Sequence, residues 1–103
     1  MRIPDSIQLG GHTITIHFQD DLMEFSQAYG LFDPTSLKIV IDKNADPSIQ
    51  NETFWHEVVE AICFFTEAEL DHSKIQTFGV LLHQISASLE VGCDGRTKKK
   101  KCR

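Results

Sequence analysis

His56, Glu57 and Glu60 fall within the five consecutive residues His56-Glu57-Val58-Val59-Glu60. On an α-helix, residues four apart share a face, so the His56 imidazole and the Glu60 carboxylate project together. A nitrogen and an oxygen donor side by side can hold a divalent metal ion. Glu57 sits at the edge of that face, where a carboxylate can take a proton from a water without being a ligand. The spacing is that of H-E-x-x-H with its second histidine replaced by glutamate. The chemistry such a set supports is metal-assisted hydrolysis, with Glu57 as the catalytic base.

A metal centre of this kind needs a third protein donor and one open position. The sequence after the motif offers His72, Gln76 and His83. His83 completes two nitrogens and one carboxylate, so the expected ligands are His56, Glu60 and His83, with Gln76 or His72 as alternatives for the third place. Zinc is the expected ion, and the same donors also suit manganese or iron. Three residues at this spacing also arise by chance in helices, and a histidine at a helix interface is commonly just packed there.

The element that carries the motif is the most apolar in the chain. Asp46 can cap a helix that has Pro47 in its first position, so a helix is predicted over residues 47–66. Phe54, Trp55, Val58, Val59, Ala61, Ile62, Cys63, Phe64 and Phe65 surround its axis, which predicts burial on all sides. A buried unpaired charge costs several kcal/mol. Glu57 and Glu60 therefore call for a metal, a hydrogen-bonded partner or an open cleft.

A second helix is predicted over residues 72–90, capped by Asp71 and ended by Gly92. Its expected core stripe is Ile75, Phe78, Leu82, Ile85 and Leu89, at spacings of three and four. Gln76 and His83 lie seven apart on one border of the stripe. Gly79 between them permits close helix approach, and the short link from the first helix makes the two antiparallel neighbours.

Before the helices the pattern is that of strands. Residues 6–9 and 12–18 alternate on either side of Gly10-Gly11 and predict a β-hairpin, with Ile14, Ile16 and Phe18 on one face. His12 and His17 have opposite parity there and read as surface residues. Residues 20–28 read as a loop or one helical turn. Residues 29–32 and 37–41 predict a second hairpin around Asp33-Pro34. The expected fold is α+β: an N-terminal antiparallel β-meander of three or four strands followed by two antiparallel helices.

Composition frames these elements. The chain has 103 residues, 41% of them apolar and 24% charged, which predicts one globular domain over residues 1–91. Residues 92–103 are expected to be a basic, disordered tail, since 96–103 hold six of the ten Lys and Arg. The remaining four basic residues face 14 of the 15 acids in residues 1–91, leaving that part near −10 (4 minus 14). An acidic body argues against nucleic acid except through residues 96–103. No apolar run approaches the ~18 residues of a membrane span. The N-terminus lacks an apolar signal core. Three cysteines, Cys63, Cys93 and Cys102, fit neither a zinc ribbon nor a disulfide framework, so a reducing, cytoplasmic setting is expected.

Strand residues 37–42, a short gap and the helix from Thr53 to Ile62 together resemble small zincin-like H-E-x-x-H metallopeptidases. These are often encoded by phages and prophages and are distantly akin to the ImmA/IrrE-type regulatory peptidases. The likeness covers residues 6–90 and includes Tyr29-Gly30 and the order hairpin, strand, motif helix, second helix. It implies a zincin-like fold, a zinc ion, a peptide or protein substrate and the cytoplasm of a bacterial host. It places a metal ligand at His56 and the base at Glu57. It also implies a second histidine ligand where Glu60 stands and an acidic ligand near Gln76. Two readings follow: a metal-dependent hydrolase, or an inactive relative that binds another protein.

Overall fold

The computed structural model describes residues 2–94. Four strands and three helices follow in the order β1 (Ser6–Leu9), β2 (His12–Gln19), α1 (Leu22–Ser26), β3 (Gly30–Asp33), β4 (Lys38–Asp42), α2 (Pro47–Thr66) and α3 (His72–Asp94). The α+β class stands. The purely antiparallel meander does not: the sheet order is β1-β2-β4-β3, and β2 runs parallel to β4.

The two expected hairpins are both present. Gly10 and Gly11 take positive φ of 61° and 81°, the left-handed backbone a tight turn needs, and pair Ile7 with Ile14. At the second turn, Asp33 accepts hydrogen bonds from the backbone of Thr35 and Ser36, and β3 returns antiparallel as β4. The parallel contact arises from where the second hairpin docks. Its more apolar strand, β4, goes inside, with Ile39, Val40, Ile41 and Asp42 all buried. Its less apolar strand, β3, takes the edge. A strand buried on both faces has to be central, and that requirement overrides the chain order.

The helices cover one face of the sheet. Ile14, Ile16, Ile39 and Ile41 point up into Phe54, Val58 and Ala61 of α2, and these seven form the core. Full burial of each large side chain is worth about 1.5–3 kcal/mol. Phe18, on the same parity as Ile14 and Ile16, lies near the strand end and is 43% exposed. Short α1 packs against β4, anchored by buried Leu22 and by the Met23 N–H donating to the buried Asp42 carboxylate.

α2 begins as expected, with Asp46 accepting from the Ser48 N–H and Pro47 in the first turn. It is not buried on all sides. Phe54, Glu57, Val58, Val59 and Ala61 are buried, while Ile62 and Phe64 are exposed. α3 packs on α2 rather than on the sheet. Of its expected core stripe only Ile75 is buried; Leu82 is half-buried, and Phe78, Ile85 and Leu89 are exposed. α3 also runs through Gly92 to Asp94 instead of stopping there, past the expected domain boundary at 91. The expected disordered basic segment, 96–103, lies outside the described residues.

Candidate functional site

Two glycines hold α2 from opposite sides at the motif. On the sheet side, a Cβ at Gly30 would overlap the Thr53 methyl group and sit 3.4 Å from Glu57 Cγ. On the other side, a Cβ at Gly79 would meet His56 Cα at 3.0 Å and His56 N at 3.1 Å. A bare backbone at both positions lets β3 and α3 close on the same stretch of α2. The expectation that Gly79 permits close approach is met, and its partner is the first residue of the motif.

Gly79 against His56 aligns the two helices. His72 and Gln76, two turns and one turn before Gly79, then flank the motif. Asp71 starts α3 by accepting from the Lys74 N–H at 2.9 Å, which places His72 in the first turn. The His56 and His72 rings lie 5.3 Å apart. One ligand atom each from His56, Glu60 and His72 fall within 4.8 Å of one another. His83 lies one turn beyond Gly79, away from this group. It lines no part of the cleft described below, and its Nδ1 is buried without a hydrogen-bond partner among the described residues.

The group opens on a cleft of about 710 Å³ between β3 and the two helices. Tyr29, Leu31, Phe32 and Ile49 give it apolar walls, and Glu52, His56, Glu57, Glu60, His72 and Gln76 give it polar ones. No Lys or Arg is among the lining residues. The burial requirement on Glu57 and Glu60 is thus met in two ways. Glu60 and His56 are half-buried at the cleft wall. Glu57 is 7% exposed, and its carboxyl is pushed up to about 7, first by burial and then by the neighbouring Glu60 carboxylate.

The remaining contacts tie the helices together. His56 Nε2 is 3.5 Å from Glu60 Oε2. His56 Nδ1 is 2.9 Å from Gln76 Oε1, and Gln76 Nε2 donates to Glu52 Oε2 at 3.2 Å. Gln76, one of the alternatives for third ligand, spends its amide on these two neighbours. His12 and His17 lie elsewhere: His12 stacks on Phe65, and His17 bonds Thr15. Cys63 is a half-buried free thiol.

A divalent ion fits this donor set. Two donors bound tetrahedrally at ~2.0–2.1 Å stand roughly 3.3 Å apart, close to the separation of His56 Nε2 and Glu60 Oε2. Glu57 and Glu60 place two carboxyl groups in a cleft that no Lys or Arg lines among the described residues. A cation offsets their charge. His72 was legible in the sequence by the same spacing that picked out Gln76 and His83. Residues 72, 76, 79 and 83 share one face of a helix. What spacing could not supply is the level along that face at which α2 crosses.

Among the described residues, no helix is long and apolar enough to cross a membrane. Comparison of the chain with protein-family models, with curated proteins and with solved structures finds no match.

Proposed function

We propose that the chain is a metal-dependent hydrolase of the zincin-like kind, acting on a peptide or protein, with His56, Glu60 and His72 as the ligands of a zinc ion. The observation that carries this is the convergence of these three donors on the wall of the cleft, beside a buried carboxyl. Two departures from the H-E-x-x-H pattern offset each other. A glutamate replaces the second motif histidine, and a histidine from α3 replaces the acidic ligand. The inventory of two imidazoles and one carboxylate is kept, with the helices exchanging which donor each provides.

Bound there, a divalent ion supplies a Lewis acid that lowers the pKa of a water towards ~7. Glu57 contributes the proton acceptor. In the metal-free chain burial raises its carboxyl to about 7, the direction that favours uptake of a proton. The wall of Tyr29, Leu31 and Phe32 offers an apolar surface to a substrate side chain.

Zinc titration of metal-stripped protein by calorimetry tests the site. One equivalent should bind, with Kd raised at least tenfold by His72→Ala or Glu60→Gln and unchanged by His83→Ala. Glu57→Gln should keep zinc and lose hydrolysis of an unstructured protein such as casein. Less than a tenth of an equivalent bound, with no thermal shift on adding zinc or manganese, would sink the enzyme reading. The chain would then be better read as a binding module.

A further inference from the structure

Gln76 stands between two groups, and one of them fixes the direction of every hydrogen bond in the row. A carboxylate oxygen accepts, so the end of the Gln76 amide that faces Glu52 Oε2 is the NH2. That assignment follows from the chemistry of the neighbour and not from the shape of the amide. Oε1 is then the end that faces His56 Nδ1 at 2.9 Å. A carbonyl oxygen cannot donate. The proton between them therefore belongs to Nδ1, and in the neutral ring Nε2 is left with its lone pair.

The other side of the ring agrees. Were the proton on Nε2, it would be drawn to the Glu60 carboxylate in an ordinary N–H···O bond of about 2.7–3.2 Å. The observed separation is 3.5 Å. Nε2 faces Glu60 without the contact that an N–H would make.

We propose that Gln76 is a positioning residue: anchored by Glu52, it holds His56 as its Nδ1–H tautomer, with the Nε2 lone pair turned towards Glu60. Its purpose rests on the metal-site reading above, but the tautomer is a property of the metal-free chain. A histidine that ligates through one nitrogen commonly donates its other N–H to a fixed acceptor, and loss of that acceptor weakens metal binding 10–100-fold. Here the acceptor comes from α3, one turn after His72. One helix would thus supply a ligand and aim another. Gln76, at the position where the resemblance calls for an acidic ligand, acts on the far side of the imidazole instead.

Long-range nitrogen–proton NMR correlations of the metal-free protein, recorded above the imidazole titration, read the tautomer directly. The signals of the five histidines are sorted by comparison with His56→Gln. Wild-type His56 should be Nδ1–H. Gln76→Leu, at an exposed position, should keep a cooperative thermal unfolding transition, shift His56 mainly to Nε2–H and raise the zinc Kd at least tenfold. Exchanging the two side chains, Gln76→Glu together with Glu52→Gln, keeps an acceptor beside Nδ1 and should restore both readouts. An Nε2–H tautomer in the wild type would overturn the proposal. So would a Gln76→Leu protein with tautomer and Kd both unchanged. Absence of zinc binding by the wild type removes the metal reading alone, because the tautomer still decides the orientation.

Discussion

α2 and α3 are similar in length, 20 and 23 residues, and both are rich in apolar side chains, yet they are used differently. α2 lies on the sheet, and five of its residues are buried, Glu57 among them. α3 lies on α2. Between residues 72 and 89 only Ile75 and Gly79 are buried, while Phe78, Leu81, Ile85 and Leu89 stay between 44% and 64% exposed. The difference teaches that an apolar stripe names a face, whereas burial needs a layer to meet it. α2 has a layer on two sides. α3 has one on a single side, and the side it has is held close by a glycine.

The largest effect that separates the helices is a cavity. Phe54 is 3% exposed and belongs to the core cluster. Phe54→Ala should cost about 3–5 kcal/mol. Ile85→Ala on α3, where Ile85 is 55% exposed, should cost less than about half of that. Urea unfolding followed by the fluorescence of Trp55, the chain's single tryptophan, measures both. Equal losses would erase the distinction between the helices.

That distinction was only half legible in the sequence. The start of α2 could be read because Asp46 and Pro47 act locally, and so could the hairpin at Gly10-Gly11. The central place of β4 was legible from its run of Ile39-Val40-Ile41. Its parallel pairing with β2 was not, since docking of the whole second hairpin decides it. The all-round burial expected of α2 failed at Ile62 and Phe64, and the stripe of α3 failed at Phe78, Ile85 and Leu89. Each was inferred from apolarity without knowing which surfaces lay nearby. The site divides in the same way. His56, Glu57 and Glu60 share one helix, and local spacing brings them together. The third member depends on the crossing of two helices, so the sequence favoured His83 over His72, and only Gly79 against His56 shows that His72 lies beside the motif.

The next effect tests the buried carboxyl of α2. The folded-state carboxyl of Glu57 is raised to about 7, above its unfolded value of 4.5. Below 4.5 the residue is protonated folded and unfolded, and it has no influence on stability. As pH rises from 4.5 to 7 the unfolded chain ionises first, so stability falls; above 7 the loss is complete, at about 3 kcal/mol. In metal-free protein, Glu57→Gln should therefore raise the thermal midpoint at pH 8 and leave it nearly unchanged at pH 4. A gain of equal size at both pH values would mean that packing, and not ionisation, separates the two side chains.

Gly79→Ala probes the contact between the helices themselves. The added Cβ would stand 3.0 Å from His56 Cα, a backbone atom that no rotamer change can move. α3 has to retreat by a few tenths of an ångström. The better helix propensity of alanine, worth ~1 kcal/mol, works in the opposite direction. We expect a net loss of about 1 kcal/mol, within the range for overpacked sites. The zinc Kd should rise as well, because His72 and Gln76 ride on the helix that is displaced. Unchanged zinc binding in a destabilised variant would separate the helix contact from the site.

The smallest effect lies at the far end of α3. Leu89 is 64% exposed, and leucine and glutamine have nearly the same helix propensity. Leu89→Gln gives up little buried area and no helical preference, so its stability should stay within about 0.5 kcal/mol of the wild type. Its zinc affinity should not change, because position 89 is ten residues past Gly79, about 15 Å along the helix axis. The same unfolding and calorimetric measurements decide both points. A loss near that of Phe54→Ala would mean that the outer face of α3 is covered after all, and α3 would then share the surroundings that set α2 apart.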